Sequence, residues 1–353
     1  PSPFTAYSKQ IKEMIVVDPW TIRFRTATPY PLMPSDMTQI LIISKAAAKA
    51  TTEDFNSGRA AIGTGPYKLV RYAKGDRIEL ARNDAWWGGA TPWEKVTLRL
   101  LPQDASRVAA LLAGDVQVIE NVPTSDAAKL KQDKRLGVYR TVADRLIYLH
   151  LDSDRDVSPF VTDRAGKPLA KNPLKDPRVR KAISKAINRP AIVDKVMEGE
   201  AIASGQLVAD FLFGATKNLK VEPYDPEGAK KLLAEAGYPD GFGITIHAPN
   251  NRYVNDAKIA QAIAQMLTRV GIDTKVVAMP SSTFFTQATD LKFSLMLLGW
   301  STGTGEASSS LKALLMTYNR DRGFGTANRG RYSNTKVDAL TEDALMTVDD
   351  VKR

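Results

Sequence analysis

Cysteine is absent from the 353-residue chain, and histidine occurs only at His150 and His247. The first absence excludes disulfides, thiolate metal sites and cysteine nucleophiles together. It is compatible with cytoplasm and periplasm alike, so it leaves the compartment open. The scarcity of histidine argues against a histidine-based catalytic centre. Each of the two lies in an alternating, strand-like run and reads as a structural residue, and two are too few for a recognisable metal motif. Long apolar runs are also missing: Leu295–Leu298, extended to Trp300, suits a buried strand and falls far short of a membrane helix. Extended runs of one charge do not occur either, although the net charge is +10.

What is present is ordinary for a soluble globular protein: 43% apolar and 25% charged residues, over a length sufficient for two or three domains. The densest basic stretch, "KDPRVRKAISKAINR" (Lys175–Arg189), carries an apolar stripe of Val179, Ala182, Ile183, Ala186 and Ile187. Its basic residues therefore read as the solvated face of a helix, and no nucleic-acid partner is expected. Excess positive charge can still attract an acidic ligand or an anionic surface. The chain opens on "PSPFTAYSKQIKEM", with neither an initiator methionine nor a signal segment, and its last residues, "ALTEDALMTVDDVKR", follow a helix-like pattern without a terminating glycine or proline. Both ends are expected to be cut from a longer chain.

The first part alternates strands and turns. Two extended runs flank Asp18-Pro19, two more flank Lys74-Gly75-Asp76, and "KVTLRLLP" is a further strand. A helix is expected from Asp104 as N-cap to Gly114 as stop, followed by a strand around Val116 and Val118. Beyond it, Leu146–Leu151 is extended, and Asp176-Pro177 and Asp225-Pro226 each start a helix with a capping carboxylate and a first-turn proline. From Ile244 to Trp300 the pattern is strand, helix, strand, helix, strand, with Gly271 ending the first helix and Ser281 expected to cap the second. That order predicts parallel strands with right-handed crossovers. Ligands of such sheets gather outside the carboxyl ends of the strands, which singles out two loops, Pro249–Asp256 and Gly299–Ser310.

Neither glycine-rich segment makes a convincing phosphate loop. "GTGPYKL" at Gly63 is followed by a strand where a nucleotide fingerprint needs a helix. "GWSTGTGE" follows a strand, but Glu306 occupies the position after Gly305 where a phosphate loop needs lysine, and the Ala307–Ser310 segment delays any helix. Backbone amides there can still meet an anion or hydroxyls. No catalytic constellation stands out among the many acidic residues. A nucleotide-dependent α/β enzyme and a nucleic-acid binder are the remote alternatives.

Several segments in order resemble the extracellular solute-binding proteins of ABC importers, in the peptide/nickel/opine class known as family 5. They are "GTGPYKLVRYAKGDRIELARNDAWWGG", "LLPQDASRVAALLAGDVQVIENVP", "LKDPRVRKAISKAINRPAIVDKV", "YDPEGAKKLLAEAGY" and "LLGWSTGTGE". The resemblance covers nearly the whole chain. It implies an α/β, two-lobed periplasmic-binding-protein-like fold (type II, peptide-binding class) with the first lobe incomplete. Residues 1–144 would be the remainder of the first lobe with its accessory subdomain, and residues 145–353 the second lobe, with the C-terminal return to the first lobe missing. It implies a periplasmic, monomeric, non-enzymatic receptor without cofactor or metal, closing over a small solute and delivering it to an ABC permease in the inner membrane. A peptide is the default ligand, and an opine or acidic sugar conjugate the alternative.

The resemblance also suggests site residues. Peptide-binding relatives place an acid shortly after the Gly-Trp pair to hold the ligand's amino group. Here Trp300 is followed by Ser301, Thr302, Gly303, Thr304 and Gly305 before the first acid, Glu306, a departure from that pattern. A basic residue in the loop or helix start at 249–258 would meet a carboxylate, with Arg252 or Lys258 as candidates beside Asn251 and Tyr253. The start of a helix near Asn255 would further favour an anion. Trp300 could stack on the ligand. Tyr148 and Asn121 are weaker candidates near the lobe junction, and Trp86 and Trp87 are expected to pack inside the first lobe.

Overall fold

A computed structural model describes residues 5–353 and divides into two compact units, one formed by the residues up to Ile40 together with Ala127–Arg353, the other by Leu41–Asp126. The strands are β1 (Ile11–Asp18), β2 (Thr21–Thr26), β3 (Tyr67–Ala73), β4 (Arg77–Arg82), β5 (Lys95–Arg99), β6 (Leu146–Leu151), β7 (Val161–Thr162), β8 (Phe242–Pro249), β9 (Ile272–Met279) and β10 (Leu295–Trp300). The helices are α1 (Thr5–Ser8), α2 (Met33–Met37), α3 (Thr52–Asn56), α4 (Asp104–Ala113), α5 (Thr124–Gln132), α6 (Pro177–Ala186), α7 (Arg189–Lys195), α8 (Pro226–Glu235), α9 (Asp256–Arg269), α10 (Ser281–Thr289), α11 (Ala307–Ser310) and α12 (Thr335–Met346). No described helix is long and apolar enough to cross a membrane.

The smaller unit is built on the antiparallel sheet β3-β4-β5. The Gly63–Gly65 segment is a turn leading into β3, held by Asn83, whose Nδ2 donates to the Gly65 carbonyl at 3.0 Å. Helix α4 ends at Gly114 in the left-handed conformation (φ 81°), as a terminating glycine should. Asp104 is the first residue of that helix rather than its cap; its carboxylate turns instead to Arg107, an i,i+3 pair. The strand expected around Val116 and Val118 does not form. No neighbouring strand pairs with it, and Val118 is exposed. Trp87 lies largely in solvent, 85% exposed, so the expectation that it packs inside fails; it touches Trp86 with ring centroids 5.6 Å apart.

The larger unit contains the β1–β2 hairpin and a five-stranded sheet. Strand β8 is buried at every residue, because neighbours cover both its edges and both its faces. Strand β9 runs parallel along one edge of β8 for its full length, and β10 runs parallel along the other, beside Ile246 and His247. The short β7 continues that second edge, antiparallel to Gly243 and Ile244, and β6 pairs antiparallel with the outer side of β10. The parallel arrangement of β8, β9 and β10 is the one their sequence pattern predicts.

Alternation along β10 divides the core between the two faces of the sheet. Leu295 and Leu297 join the larger cluster with Val179 and Ile183 of α6, Leu233 of α8, and Ile263 and Leu267 of α9. Met296 and Leu298 face the other way, onto Phe284 and Ala288 of α10 and Phe293. The two Asp-Pro signals work as expected: Asp176 accepts from the Arg178 amide and Asp225 from the Gly228 amide, both at 2.8 Å. Ser281, however, starts α10 without capping it. Its amide is taken by Asn251 Oδ1 at 2.8 Å. The segment after Gly305 enters a helix at once: α11 begins at Ala307 and passes into a π-helical turn at Leu311–Leu315. Helix α12 ends at Met346, before the last residues of the chain.

Candidate ligand-binding site

The carboxyl ends of β8 and β10 lie side by side in this sheet, and their loops meet there. The loop after β8 is tied down by its own polar groups. Asp256 Oδ2 accepts from the amides of Arg252 (2.9 Å) and Tyr253 (3.0 Å), and its Oδ1 lies 2.9 Å from the Ala257 amide. The buried carboxylate is thereby fully used, and it holds α9 with Asn255 in the left-handed region (φ 56°). The Arg252 side chain is left exposed over the Tyr253 ring, its guanidinium carbon 5.9 Å from the centroid.

Tyr253 reaches from the β8 loop to β10. Its hydroxyl donates to the Gly299 carbonyl at 3.3 Å, and its ring occupies the space above Gly299. Arg145, the residue directly before β6, approaches the same ring, its guanidinium carbon 5.8 Å from the centroid. Neither Arg145 nor Arg252 has an ion-pair partner among the described residues, so two free guanidinium groups flank one phenol.

The opposite charge comes from Asp144, just before β6, which the loop after β10 meets with its hydroxyls. Ser301 Oγ lies 2.7 Å from both carboxylate oxygens of Asp144, and Thr302 Oγ1 donates to the same group at 3.5 Å. Turns follow, with the Gly305 amide donating to the Thr302 carbonyl at 2.8 Å and the Gly303 carbonyl accepting from Gln39 at 2.7 Å. The Thr304 hydroxyl is buried without a partner. Glu306 is buried as well, and its carboxylate is occupied by the Ser308 hydroxyl and by Arg353 at 2.8 Å. Trp300 is half-buried opposite Leu146, with its indole N–H buried and unbonded, on the face shared by Leu298 and Tyr148.

Of the residues singled out from sequence, Arg252, Tyr253, Trp300, Ser301 and Thr302 therefore converge on one sheet edge, and Tyr148 lies one strand position inward. Asn251 borders this edge but is engaged by α10. Gly303 and Thr304 belong to the same loop. Lys258 stands exposed on α9, and Glu306 is diverted to Arg353. Asn121 belongs to the smaller unit, where it adopts φ 52° and its carbonyl accepts from Arg107 at 2.9 Å. Sequence reading missed Asp144, Arg145 and Arg329. The first two directly precede a predicted strand, and only its antiparallel pairing with β10 shows that they lie beside Trp300 and Ser301.

The histidines serve structure. His150 Nε2 accepts from the Gly330 amide at 3.1 Å, and the His247 ring stacks on Phe293 at 4.0 Å. Burial pushes both imidazoles down to about 4, so both are neutral at physiological pH.

A central sheet of mixed direction, helices on both faces and a polar edge formed by strand-end loops are features of the periplasmic binding proteins. Residues 1–321 match the family model for bacterial extracellular solute-binding proteins, family 5 Middle, and the chain belongs to that family. It is a family of binding proteins and not of enzymes. Among curated relatives, the chain is 27% identical over 290 residues to heme-binding protein A of Haemophilus influenzae, covering 80% of this chain and 49% of that protein. It is 30% identical over 350 residues to the glutathione-binding protein GsiB of Salmonella paratyphi A, covering 97% and 64% respectively. The chain thus spans between about half and two thirds of the length of these relatives. The crystal structure of a dipeptide-binding protein from Pseudoalteromonas sp. SM9913 in complex with Met-Leu shares the fold, with a TM-score of 0.80 at 23% identity over 98% of this chain and 67% of that one.

Proposed function

We propose that the chain is the solute-capturing part of an ABC importer's receptor, and that its solute is a di- or oligopeptide held at the edge formed by Arg252, Tyr253, Trp300, Ser301 and Thr302. The observation that carries this reading is the pairing of charges there: the unpaired Arg252 guanidinium on one loop and the Asp144 carboxylate beside Ser301 on the next. A zwitterion needs one group for each end, and charge-assisted bonds at both give orientation as well as affinity. Asp144 supplies the acid that is missing from the positions directly after the Gly-Trp pair. In this reading residues 1–144 are the remainder of an incomplete first lobe and residues 145–353 the second lobe, and closure of the whole receptor is biased by ligand contacts. In this reading the receptor is monomeric and hands its solute to an inner-membrane permease.

A second reading, an acidic non-peptide solute, draws on Arg145. Two guanidinium groups around one phenol outnumber the single carboxylate. Calorimetry on the 353-residue chain with alanyl dipeptides and their N-acetylated forms separates the two. The peptide reading expects acetylation, and Asp144→Asn, to weaken binding by about tenfold or more, and Arg252→Ala to do the same for the free carboxylate. Equal binding of free and acetylated forms favours the acidic non-peptide solute, and no binding of any dipeptide overturns the peptide reading.

A further inference from the structure

Arg329 is a half-buried arginine with no carboxylate to meet it. Its Nε–H is buried without an acceptor, no ion pair to it occurs among the described residues, and its guanidinium carbon lies 5.8 Å from the centroid of the Phe285 ring. Burial lowers its pKa, the phenols of Tyr148 and Tyr253 act on it, and its own charge acts on the His150 imidazole. Burial raises the Tyr148 phenol, so it stays neutral and can donate. An unpaired buried cation is costly, which is why such groups in folded proteins are almost always paired.

The backbone around Arg329 is fixed with unusual thoroughness for a loop. The buried Asn328 side chain spans the turn, donating to the carbonyls of Met316 (3.1 Å) and Tyr332 (2.7 Å) and accepting from the Tyr332 amide (3.0 Å). Gly330 donates to His150, accepts from the Ser153 amide at 2.8 Å, and lies so close to β6 that a β-carbon would sit 1.9 Å from the Leu151 carbonyl. This anchoring delivers the Arg329 side chain along the α10 face of β6 and β10, the face that carries Tyr148 and Trp300. Trp300 offers a second buried N–H without an acceptor. Donors without acceptors on one face call for an acceptor-rich, negatively charged group.

The geometry points to a second anion-receiving position formed by Arg329 and Tyr148, across the sheet from Arg252 and Tyr253, and hence to a solute with an acidic group beyond its terminal carboxylate. This rests on the reading that the β8–β10 edge receives the solute. It is tested with the 353-residue chain, wild type and Arg329→Gln, titrated calorimetrically with the isosteric pairs Ala-Glu and Ala-Gln, and Glu-Ala and Gln-Ala. The wild type is expected to prefer one Glu peptide over its Gln counterpart by about tenfold or more, and Arg329→Gln to erase that preference. No preference in the wild type, or a preference that survives Arg329→Gln, overturns the proposal while leaving the edge as a peptide site. If no dipeptide binds, the peptide reading fails and succinate decides, with chloride at equal ionic strength as control. A rise in the unfolding midpoint in wild type but not in Arg329→Gln supports the position, and an equal response in both overturns it. The unliganded variant is expected to melt no earlier than wild type. A lower midpoint with unchanged ligand preference makes Arg329 structural and also overturns the proposal.

Discussion

Tyr253 lies across Gly299 so closely that a β-carbon at 299 would come within 2.7 Å of its ring and 2.9 Å of Ile147, while its hydroxyl donates to the Gly299 carbonyl. The glycine of the Gly-Trp pair is thereby accounted for: it lets the loop after β8 close down on β10. Gly299→Val should lift Tyr253 away and destabilise the chain by about 1–3 kcal/mol through overpacking. Urea unfolding reports the stability, and dipeptide calorimetry should show weaker binding than stability loss alone explains. Unchanged binding would show that Tyr253 does not shape the site.

Asp36 and Lys312 form an ion pair at 3.1 Å with side chains only 2% and 8% exposed, and Tyr30 donates its hydroxyl to the same carboxylate. The pair joins the segment around α2 to the π-helical turn that follows the Gly-Trp loop. Asp36→Ala should cost about 3–5 kcal/mol, since it removes the carboxylate from a buried ion pair. The double variant Asp36→Leu/Lys312→Met should recover part of that loss, and chemical denaturation of the three chains checks both expectations.

Much of this fold was legible because its elements carry local signals strong enough to stand alone. The alternation in Leu146–Leu151, the apolar run of β8, the stripe of α9 and the Asp-Pro caps each specify their element within a few residues. Where sequence reading failed, a distant partner decides. Val116 and Val118 have strand-forming side chains but no strand to pair with. Ser281 looks like a cap, yet Asn251 takes its amide. The candidate edge was half legible for the same reason. Loops at strand ends can be anticipated, and so Arg252, Tyr253 and Trp300 were. Asp144 and Arg145 become neighbours of Ser301 and Tyr253 only through antiparallel pairing of strands nearly 150 residues apart, and Arg329 is delivered by a turn whose anchor is the distant His150. Glu306 shows the converse. It is an acid in the expected loop, but folding commits it to Arg353.

The two buried imidazoles should make stability fall in mild acid. Both have folded pKa values depressed to about 4 against about 6.5 in an unfolded chain, so unfolding takes up protons between those limits. No stability is lost from this source above pH 6.5, and the loss grows as pH falls toward 4, at up to about 1.4 kcal/mol per pH unit for each histidine. His247→Phe keeps the aromatic packing against Phe160 and Phe293. Urea midpoints between pH 4.5 and 6 should therefore show a slope shallower than wild type by roughly one proton. An unchanged slope would mean that His247 is already protonated in the folded chain.

Gly241 and Gly271 precede the paired strands β8 and β9 and touch back to back. Gly241 holds φ 74°, and a β-carbon there would stand 1.8 Å from the Gly271 carbonyl oxygen, while Gly271 itself holds φ 98°. Backbone cannot yield as a side-chain tip can, so Gly241→Ala combines left-handed strain with a clash that must separate the two strand starts. The expected cost is about 2–4 kcal/mol. Gly271→Ala meets only ordinary contacts at 3.8 Å and more, so its cost should be confined to the strain, about 1–2 kcal/mol. Equilibrium unfolding of both variants tests the ranking; equal losses would show that conformation alone, and not the close approach, requires glycine at 241.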